Sequence, residues 1–257
     1  MDPTRQIHLW CTFFEEVTDD ALLKEYRTLL TDAERAQEIL FRLARDRRRY
    51  LVTRTLVRTT LSRYVDIAPM DWVFGLNEYG RPEIANDEPQ AQRISFNIAH
   101  TNSLIVLGVT QDHALGVDVE NTSERAPIRI AEQKFARAEV LALRGLPSER
   151  QRQRFFEYWT LKEAYIKARG MGLSLPLDAF SFSFPDERAI RLKTRRSLKD
   201  DPARWRFWQF CLEPYYLVAV CAQQPLESLT LQVQRIVPLS SASELRWTRM
   251  RTSETSR

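Results

Sequence analysis

Two stretches in the second half of the chain decide how its fold is interpreted: residues 116–120 read GVDVE, and residues 159–170 read WTLKEAYIKARG. The first stretch alternates apolar and acidic residues, which is typical of a strand with one buried face. Because side chains alternate across a strand, Asp118 and Glu120 share one face and Val117 and Val119 the other. The second stretch reads as the end of a long helix that Gly170 terminates. Together they predict an α+β unit.

The same order of secondary-structure elements, a long helix followed by two strands, occurs twice in the chain. The first half contains a basic helix over about residues 43–65 and strands at 94–98 and 104–110; the second contains a helix over about 149–169 and strands at 207–212 and 216–222. We interpret the chain as an α+β fold made by a pseudo-twofold duplication, each half a small antiparallel sheet packed on a long helix. Two similar strand pairs that arose by chance are the alternative.

This interpretation divides the chain into three parts. Residues 1–113 form the N-terminal half, and residues 114–225 form the C-terminal half with the chemical motifs. Residues 226–257 are a polar C-terminal extension, which we expect to be partly disordered because Ser240 to Arg257 is rich in Ser, Thr and Arg.

Composition excludes several classes of protein. Among 257 residues, 44% are hydrophobic and 28% charged, as in soluble globular domains, and the net charge of +4 favours anionic partners without selecting one. The seven glycines form neither GxxxxGK[ST] nor GxGxxG, which argues against a P-loop NTPase or a dinucleotide-binding fold. Three cysteines without a CxxC pair and three histidines argue against a zinc centre. The N-terminus lacks a signal-peptide pattern and no apolar run approaches 20 residues, so we expect a cytoplasmic protein that binds no membrane.

The acidic residues suggest a metal site. Two carboxylates on one strand face suit a hard divalent cation, although a solvated strand edge is the alternative reading of that spacing. Trp159, Lys162, Glu163 and Lys167 fall at helical spacing, and a solvated salt-bridge face is the alternative there. If Glu163 converges with Asp118 and Glu120, the three acids could hold Mg²⁺ while Lys167 neutralises a bound phosphate.

At this point the sequence resembles a known family. FNIAH at 96–100, GVDVE at 116–120, KFARAE at 134–139 and WTLKEAYIKARGMGLSLPL at 159–177 are similar to the motifs of Sfp-like 4′-phosphopantetheinyl transferases, in the family's order over about residues 7–222. The resemblance implies a monomer of two α+β halves with coenzyme A in the cleft between them. It also implies the reaction, in which a serine of a carrier protein attacks the pantetheine-side phosphate and 3′,5′-ADP leaves.

The resemblance carries roles to individual positions. It implies Asp118, Glu120 and Glu163 as ligands of Mg²⁺, with Mn²⁺ as the alternative ion. It implies Glu163 as the general base, with a water molecule on the metal as the alternative, and Lys167 as the catalytic lysine that contacts the pyrophosphate. The coenzyme-binding positions that it implies are Arg35, Gly80, Arg81, Asn97, His100 and Lys167.

The expected protein partner is an apo acyl or peptidyl carrier protein with an acidic surface. We expect Leu173 and Leu175, next to Leu177, to form part of the apolar surface on which the carrier docks, with an ordinary core strand as the alternative. The arginines between Arg42 and Arg58 could attract that partner, although most of them would simply be solvated. A metal-dependent phosphodiesterase or a nucleic-acid-binding protein is the alternative function. We expect no nucleic acid, because the chain has no recognisable nucleic-acid-binding module and its arginine run lacks interleaved stacking aromatics.

Overall fold

The computed structural model describes residues 5–212, 215–223 and 229–253. Within these ranges the helices are α1 (Asp20–Thr28), α2 (Asp32–Leu40), α3 (Ala44–Leu61), α4 (Pro89–Gln92), α5 (Ile128–Lys134), α6 (Arg137–Arg144) and α7 (Ser148–Arg169). The strands are β1 (Gln6–Phe13), β2 (Phe74–Leu76), β3 (Pro82–Ile84), β4 (Ile94–His100), β5 (Leu104–Gln111), β6 (Leu115–Asn121), β7 (Phe180–Ser183), β8 (Ala189–Thr194), β9 (Trp205–Leu212), β10 (Tyr216–Gln223), β11 (Thr230–Val237), β12 (Ser241–Glu244) and β13 (Trp247–Ser253). The long helices and the strands expected in each half are present.

Two sheets carry the two halves. The N-terminal sheet has the order β12-β11-β1-β5-β4, and the C-terminal sheet has the order β6-β10-β9-β13-β8-β7. The β2–β3 hairpin stands apart from both sheets. Most neighbours are antiparallel, but β11 runs parallel to β1 and β13 runs parallel to β8. The α+β architecture in two sheet-plus-helix halves is confirmed, with one parallel pair added to each sheet.

The hydrophobic residues form three cores. Helices α1 and α3 pack on the outer face of the N-terminal sheet around Trp10, Leu56 and Leu107, and α7 packs on the outer face of the C-terminal sheet around Leu161 and Phe207. The third core lies between the two sheets. No helix in the described part of the chain combines the length and apolarity needed to cross a bilayer.

The strand β6 is amphipathic in the way its sequence predicts. Val117 and Val119 belong to the core between the sheets, so Asp118 and Glu120 face α7 instead. The twofold alternation of the strand therefore directs two acids toward the helix that carries Glu163 and Lys167.

The C-terminal extension differs from the expectation of partial disorder. Its described residues, 229–253, form β11, β12 and β13, and they complete both sheets. Val233 and Ile236 supply buried apolar side chains, and the nearly buried Arg251 forms an ion pair of 3.2 Å with Glu157 of α7. The polar composition of this segment wrongly suggested disorder, because a strand that pairs with a neighbouring strand on each side can be ordered with few apolar residues. Residues 226–228 and 254–257 lie outside the described residues.

A close approach of β6 and α7 depends on Gly116. A Cβ atom at this position would lie 2.0 Å from the carbonyl oxygen of Ala164 and 2.4 Å from the backbone nitrogen of Ala168. Since both contacts are with helix backbone, no side-chain rotation can relieve them. Only glycine allows the strand and the helix to meet here.

We therefore expect Gly116→Ala to reduce the free energy of unfolding by about 3 kcal/mol, because overpacking forces the backbone elements apart. Urea unfolding followed by circular dichroism measures the loss. Gly145→Ala is the matched control, since its Cβ would meet nothing closer than 3.4 Å and should change stability by less than about 1 kcal/mol. Equal stability of the two variants would contradict the packing argument.

Candidate functional site

The centre of the site is a lysine and a carboxylate at the contact of β6 with α7. The Nζ atom of Lys167 donates to Oδ1 of Asp118 at 2.8 Å and to the carbonyl oxygen of Val117 at 3.0 Å. Asp118 is buried, and its Oδ2 atom has no hydrogen-bond partner in the described structure. An unpartnered carboxylate oxygen of this kind is costly unless a cation or donor reaches it.

Two more acids surround this pair. Burial raises the pKa of Glu120 to about 7, with a further contribution from the negative charge of Asp118, while a hydrogen bond from Trp159 opposes the rise. Burial also raises the pKa of Glu163, again with repulsion from Asp118 and partial compensation by Lys167. The pKa of Asp118 is raised by its own burial. The site therefore holds three acids, and the positive charge around them is too small to stabilise all three in the ionised form.

This donor set fits a divalent cation. Mg²⁺ prefers carboxylate oxygens, and the unpartnered Oδ2 of Asp118 is the atom that most needs such a charge. In the arrangement described, however, no group of three or more His, Cys, Asp or Glu side chains among residues 5–212, 215–223 and 229–253 is already placed to hold a metal ion. The Lys167 ammonium supplies the positive charge on Oδ1 instead.

His100 extends the site along the edge of the N-terminal sheet. Loss of solvent around the ring lowers the pKa of His100, and the positive charges of Arg49 and Lys167 lower it further. A histidine, an arginine from α3 and a lysine from α7 thus act on one another across the two halves. From the sequence, Arg49 is only one of several arginines on a basic helix, because no spacing within the chain relates it to His100.

The remaining coenzyme-binding candidates have different surroundings. Asn97 is buried, and its Oδ1 accepts from the backbone nitrogen of Val117 at 2.8 Å, which joins β4 to β6. Gly80 has a φ of +83° in the turn before β3, with open space around it. The Arg81 guanidinium donates to three backbone carbonyls. Arg35 bonds locally, to Asp32 and to the carbonyl of Leu30. The structure thus gathers Asp118, Glu120, Glu163, Lys167 and His100, and it leaves Arg35 among partners of its own segment.

Lys162 does not belong to the stripe that the sequence suggested. Its ammonium is fully buried, 2.7 Å from Oε2 of Glu139, and it also donates to the carbonyls of Leu177 and Phe180. One residue on a helix rotates the side chain by about 100°, so Lys162 points away from the direction of Glu163. Trp159, Glu163 and Lys167, four residues apart, are the members that line the site.

Leu175 contradicts the docking expectation. It is 2% exposed and belongs to the core on α7. Leu175 directly follows a short 3-10 helix, Gly172–Ser174, whose first residue has a φ of +53°. Leu177 is partly buried against the same core, and the side chain of Leu173 lies outside the described residues.

Several arginines of α3 serve the fold. Arg54 and Arg58 both form ion pairs with Glu34, and Arg45 pairs with Glu15. Arg58 is buried and also donates to the carbonyl of Trp72 at 2.9 Å. These pairs leave fewer free cations than the sequence suggests, so the structure gives no added support to the nucleic-acid alternative.

Comparison with known proteins identifies both halves. Residues 114–221 match the family described as the 4′-phosphopantetheinyl transferase superfamily, and residues 19–112 match the one described as 4′-phosphopantetheinyl transferase, N-terminal. The 4′-phosphopantetheinyl transferase Sfp of Bacillus subtilis is 32% identical over 180 residues, which are 70% of this chain and 76% of Sfp. HetI of Nostoc sp. is 29% identical over 190 residues, 74% of this chain and 78% of HetI.

A third relative and one solved structure add to this comparison. The transferase gsp of Aneurinibacillus migulanus is 37% identical over 136 residues, 53% of this chain and 54% of gsp. A crystal structure of holo-[acyl-carrier-protein] synthase from Thermotoga maritima is 22% identical, with a TM-score of 0.34 over 43% of this chain and 62% of that one. From the sequence matches over both halves, the chain belongs to the 4′-phosphopantetheinyl transferase superfamily.

Proposed function

We propose that this transferase moves the 4′-phosphopantetheine group of coenzyme A to a serine of an apo acyl or peptidyl carrier protein, with the acids between β6 and α7 as its reaction site. The observation that carries the proposal is the buried, unpartnered Oδ2 of Asp118 beside Lys167, Glu120 and Glu163. Such a site has an excess of negative charge until a cation binds, and it has a lysine ready to meet a phosphate.

Asp118, Glu120 and Glu163 would hold Mg²⁺ or Mn²⁺, which when bound neutralises the charge of the diphosphate. Lys167 and His100 would contact the phosphates directly. A phosphate beside His100 would oppose the lowering of its pKa, because a negative charge favours the protonated imidazole. Arg35, Gly80, Arg81 and Asn97 complete the proposed coenzyme site, Arg81 and Asn97 by shaping it, because their side chains are bonded to backbone.

The serine hydroxyl of the carrier is the nucleophile. Its oxygen forms a bond to the pantetheine-side phosphorus, the bond from that phosphorus to the oxygen of 3′,5′-ADP breaks, and the hydroxyl proton passes to Glu163. The raised pKa of Glu163 supports this role, since a base whose pKa lies nearer the working pH is more effective. The proposed site draws residues from both halves of the chain, and we propose that the enzyme acts as a monomer.

A groove beside Trp159 is the proposed docking surface for the carrier. The groove has a volume of about 810 Å³ and contains Phe135, Trp159 and Leu177. Three cations and two acids surround them, namely Lys134, Arg137, Arg195, Glu132 and Asp178, and Arg195 pairs with Asp178 at 3.0 Å, which leaves Lys134 and Arg137 as the cations for a partner. Apolar residues bounded by cations suit an amphipathic helix with acidic flanks. Trp159 of this groove also acts to lower the pKa of Glu120, so a carrier in the groove would lie next to the reacting acids.

Mass spectrometry of the carrier tests the proposed function. The protein is incubated with coenzyme A, Mg²⁺ and several apo carrier proteins, and each carrier should gain the mass of one phosphopantetheine. Excess EDTA should stop the reaction, and fresh Mg²⁺ should restore it. Intact protein that modifies none of a set of fatty-acid, polyketide and peptide carriers would refute the proposal.

For the groove, we expect Lys134→Glu to raise the KM for the carrier about fivefold while the KM for coenzyme A stays unchanged, because charge complementarity assists encounter. Steady-state kinetics with each substrate varied in turn measures both constants. Lys24→Glu, an equal charge change on α1, is the matched control. A carrier KM that responds equally to both variants would exclude this groove as the docking surface.

A further inference from the structure

The guanidinium of Arg81 joins three backbone segments at the border between the halves. Its Nη1 donates to the carbonyl oxygen of Lys167 at 2.7 Å, and its Nη2 donates to those of Leu115 at 3.1 Å and Phe96 at 3.3 Å. These carbonyls belong to α7, β6 and β4. The same three elements carry Lys167, Asp118 and His100.

The surroundings of Arg81 indicate that this contact is specific. Burial lowers the pKa of Arg81, and its Nε is buried without a partner among the described residues. Its direct partners are neutral carbonyls, so the protein bears the desolvation of a cation without a bonded carboxylate. The Lys167 carbonyl lies in the last turn of α7, where it also accepts from the backbone nitrogen of the capping Gly170 at 3.1 Å, and this end of the helix attracts positive charge.

A second residue of the same turn binds the same end of α7. Asn77 Nδ2 donates to the carbonyl of Gly170 at 3.0 Å, and Gly170 ends α7 with a φ of +67°. Asn77 Oδ1 accepts from the backbone nitrogens of Tyr79 and Arg81, which fixes the shape of the turn. The N-terminal half therefore holds the C-terminal end of α7 through hydrogen bonds to two carbonyls, those of Lys167 and Gly170.

We propose that Arg81 is a positioning residue that acts through Lys167. By tying the last turn of α7 to β6 and β4, it sets where the Lys167 ammonium lies relative to Asp118 and to a bound diphosphate. The inference rests on the proposed function in so far as it takes Lys167 to contact the phosphates. It assigns the Arg81 side chain to the backbone of this protein instead of to the coenzyme.

Kinetics of Arg81→Met test this assignment. We expect kcat to fall 10- to 100-fold while the KM for coenzyme A changes less than threefold, because coenzyme still binds but meets a displaced lysine. Arg81→Lys should not restore kcat fully, since a single ammonium cannot span three carbonyls as a planar fork does. Arg93→Met is the matched control: Arg93 pairs on the surface with Asp112 of its own half, and kcat should stay within twofold of the wild type.

Binding measurements separate positioning from direct coenzyme contact. Calorimetry with coenzyme A and with dephospho-coenzyme A, which lacks the 3′-phosphate, should give the same small change for Arg81→Met. A tenfold weaker binding of coenzyme A alone would assign Arg81 to the 3′-phosphate and overturn the proposal. The double variant Arg81→Met/Lys167→Met should be no slower than Lys167→Met, whereas multiplied losses would show that Arg81 acts independently of Lys167.

Hydrogen exchange gives a readout that does not depend on activity. In Arg81→Met, amides in peptides covering 163–171 should exchange faster, while those of α1 should not change. If Arg81→Met does not fold, Asn77→Ala removes one of the two grips and should give the same pattern with a three- to tenfold loss of kcat. Unchanged exchange at 163–171 in a folded variant would overturn the proposal. A wild-type protein without transferase activity would contradict the proposed function, while the exchange result would still decide the backbone contact.

Discussion

Asp118→Asn is expected to lower kcat/KM for carrier modification at least about 1,000-fold without destabilising the metal-free protein. The loss of activity follows from removing the central carboxylate of the proposed cation site, an electrostatic contribution of about 4 kcal/mol in the transition state. Stability should change little, because the loss of the ion pair with the partly exposed Lys167 is offset by removal of a buried charge that raises the pKa of Glu120 and Glu163 and leaves Oδ2 unpartnered.

Two measurements check this prediction together: mass spectrometry of the carrier, and thermal unfolding with and without Mg²⁺. Wild-type protein should gain melting temperature with Mg²⁺ because the ion binds only the folded state, and Asp118→Asn should lose that gain. Glu124→Gln removes an exposed acid from the loop after β6 and is the matched control. Rates near those of the wild type in Asp118→Asn would refute the assignment of this site.

The largest effect on stability is expected for Glu139→Ala. Glu139 and Lys162 have fully buried side chains, and Glu139 also accepts from the backbone nitrogens of Ala136 and Phe182. Removing the carboxylate leaves a buried ammonium without its counter-charge and two donors without an acceptor. We expect the free energy of unfolding to fall by about 3–5 kcal/mol, as for other broken buried ion pairs.

Urea unfolding measures this loss. The double variant Glu139→Leu/Lys162→Met should recover at least about 1 kcal/mol of it, because no uncompensated charge remains. Glu132→Ala is the matched control: it breaks the exposed pair with Arg144 and should cost less than about 1 kcal/mol. A loss in Glu139→Ala no larger than in Glu132→Ala would show that the buried pair contributes little.

The strand β6 and the helix α7, which carry the proposed site residues, could be predicted because the pattern of apolar and polar residues in each involves only residues close in sequence. The alternation in GVDVE placed Asp118 and Glu120 on one face, and in the structure Val117 and Val119 occupy the core between the sheets. Glu163 and Lys167 lie four residues apart, so one helix face was certain to carry both. Both shared faces follow from the spacing of neighbouring residues. Tertiary packing can change the direction in which such a face points, but the residues stay on the same face.

Contacts between segments that are distant in sequence could not be predicted from the local spacing of residues. The stripe of α7 could have included Lys162, and the pairing with Glu139 was decided by the packing of α6 and β7 against the helix. Leu175 was predicted to be exposed, but it is buried in the core on α7, which is built from residues distant in sequence. The extension read as disordered because its strands gain order by pairing with β1 and β9, which lie far away in sequence.

Three features of this protein follow from the spacing of adjacent residues in a strand or a helix. They are the α+β fold class, the acidic face of β6 and the face of α7 that carries Glu163 and Lys167. The packing of distant segments sets which carbonyls Arg81 binds and that Lys167 meets Asp118, and it lets the charge of Arg49 lower the pKa of His100. The hydrogen bonds of Arg81 and Lys167 join segments separated by 15 to 86 residues, and only the packing of two sheets and their helices fixes the distances between those segments.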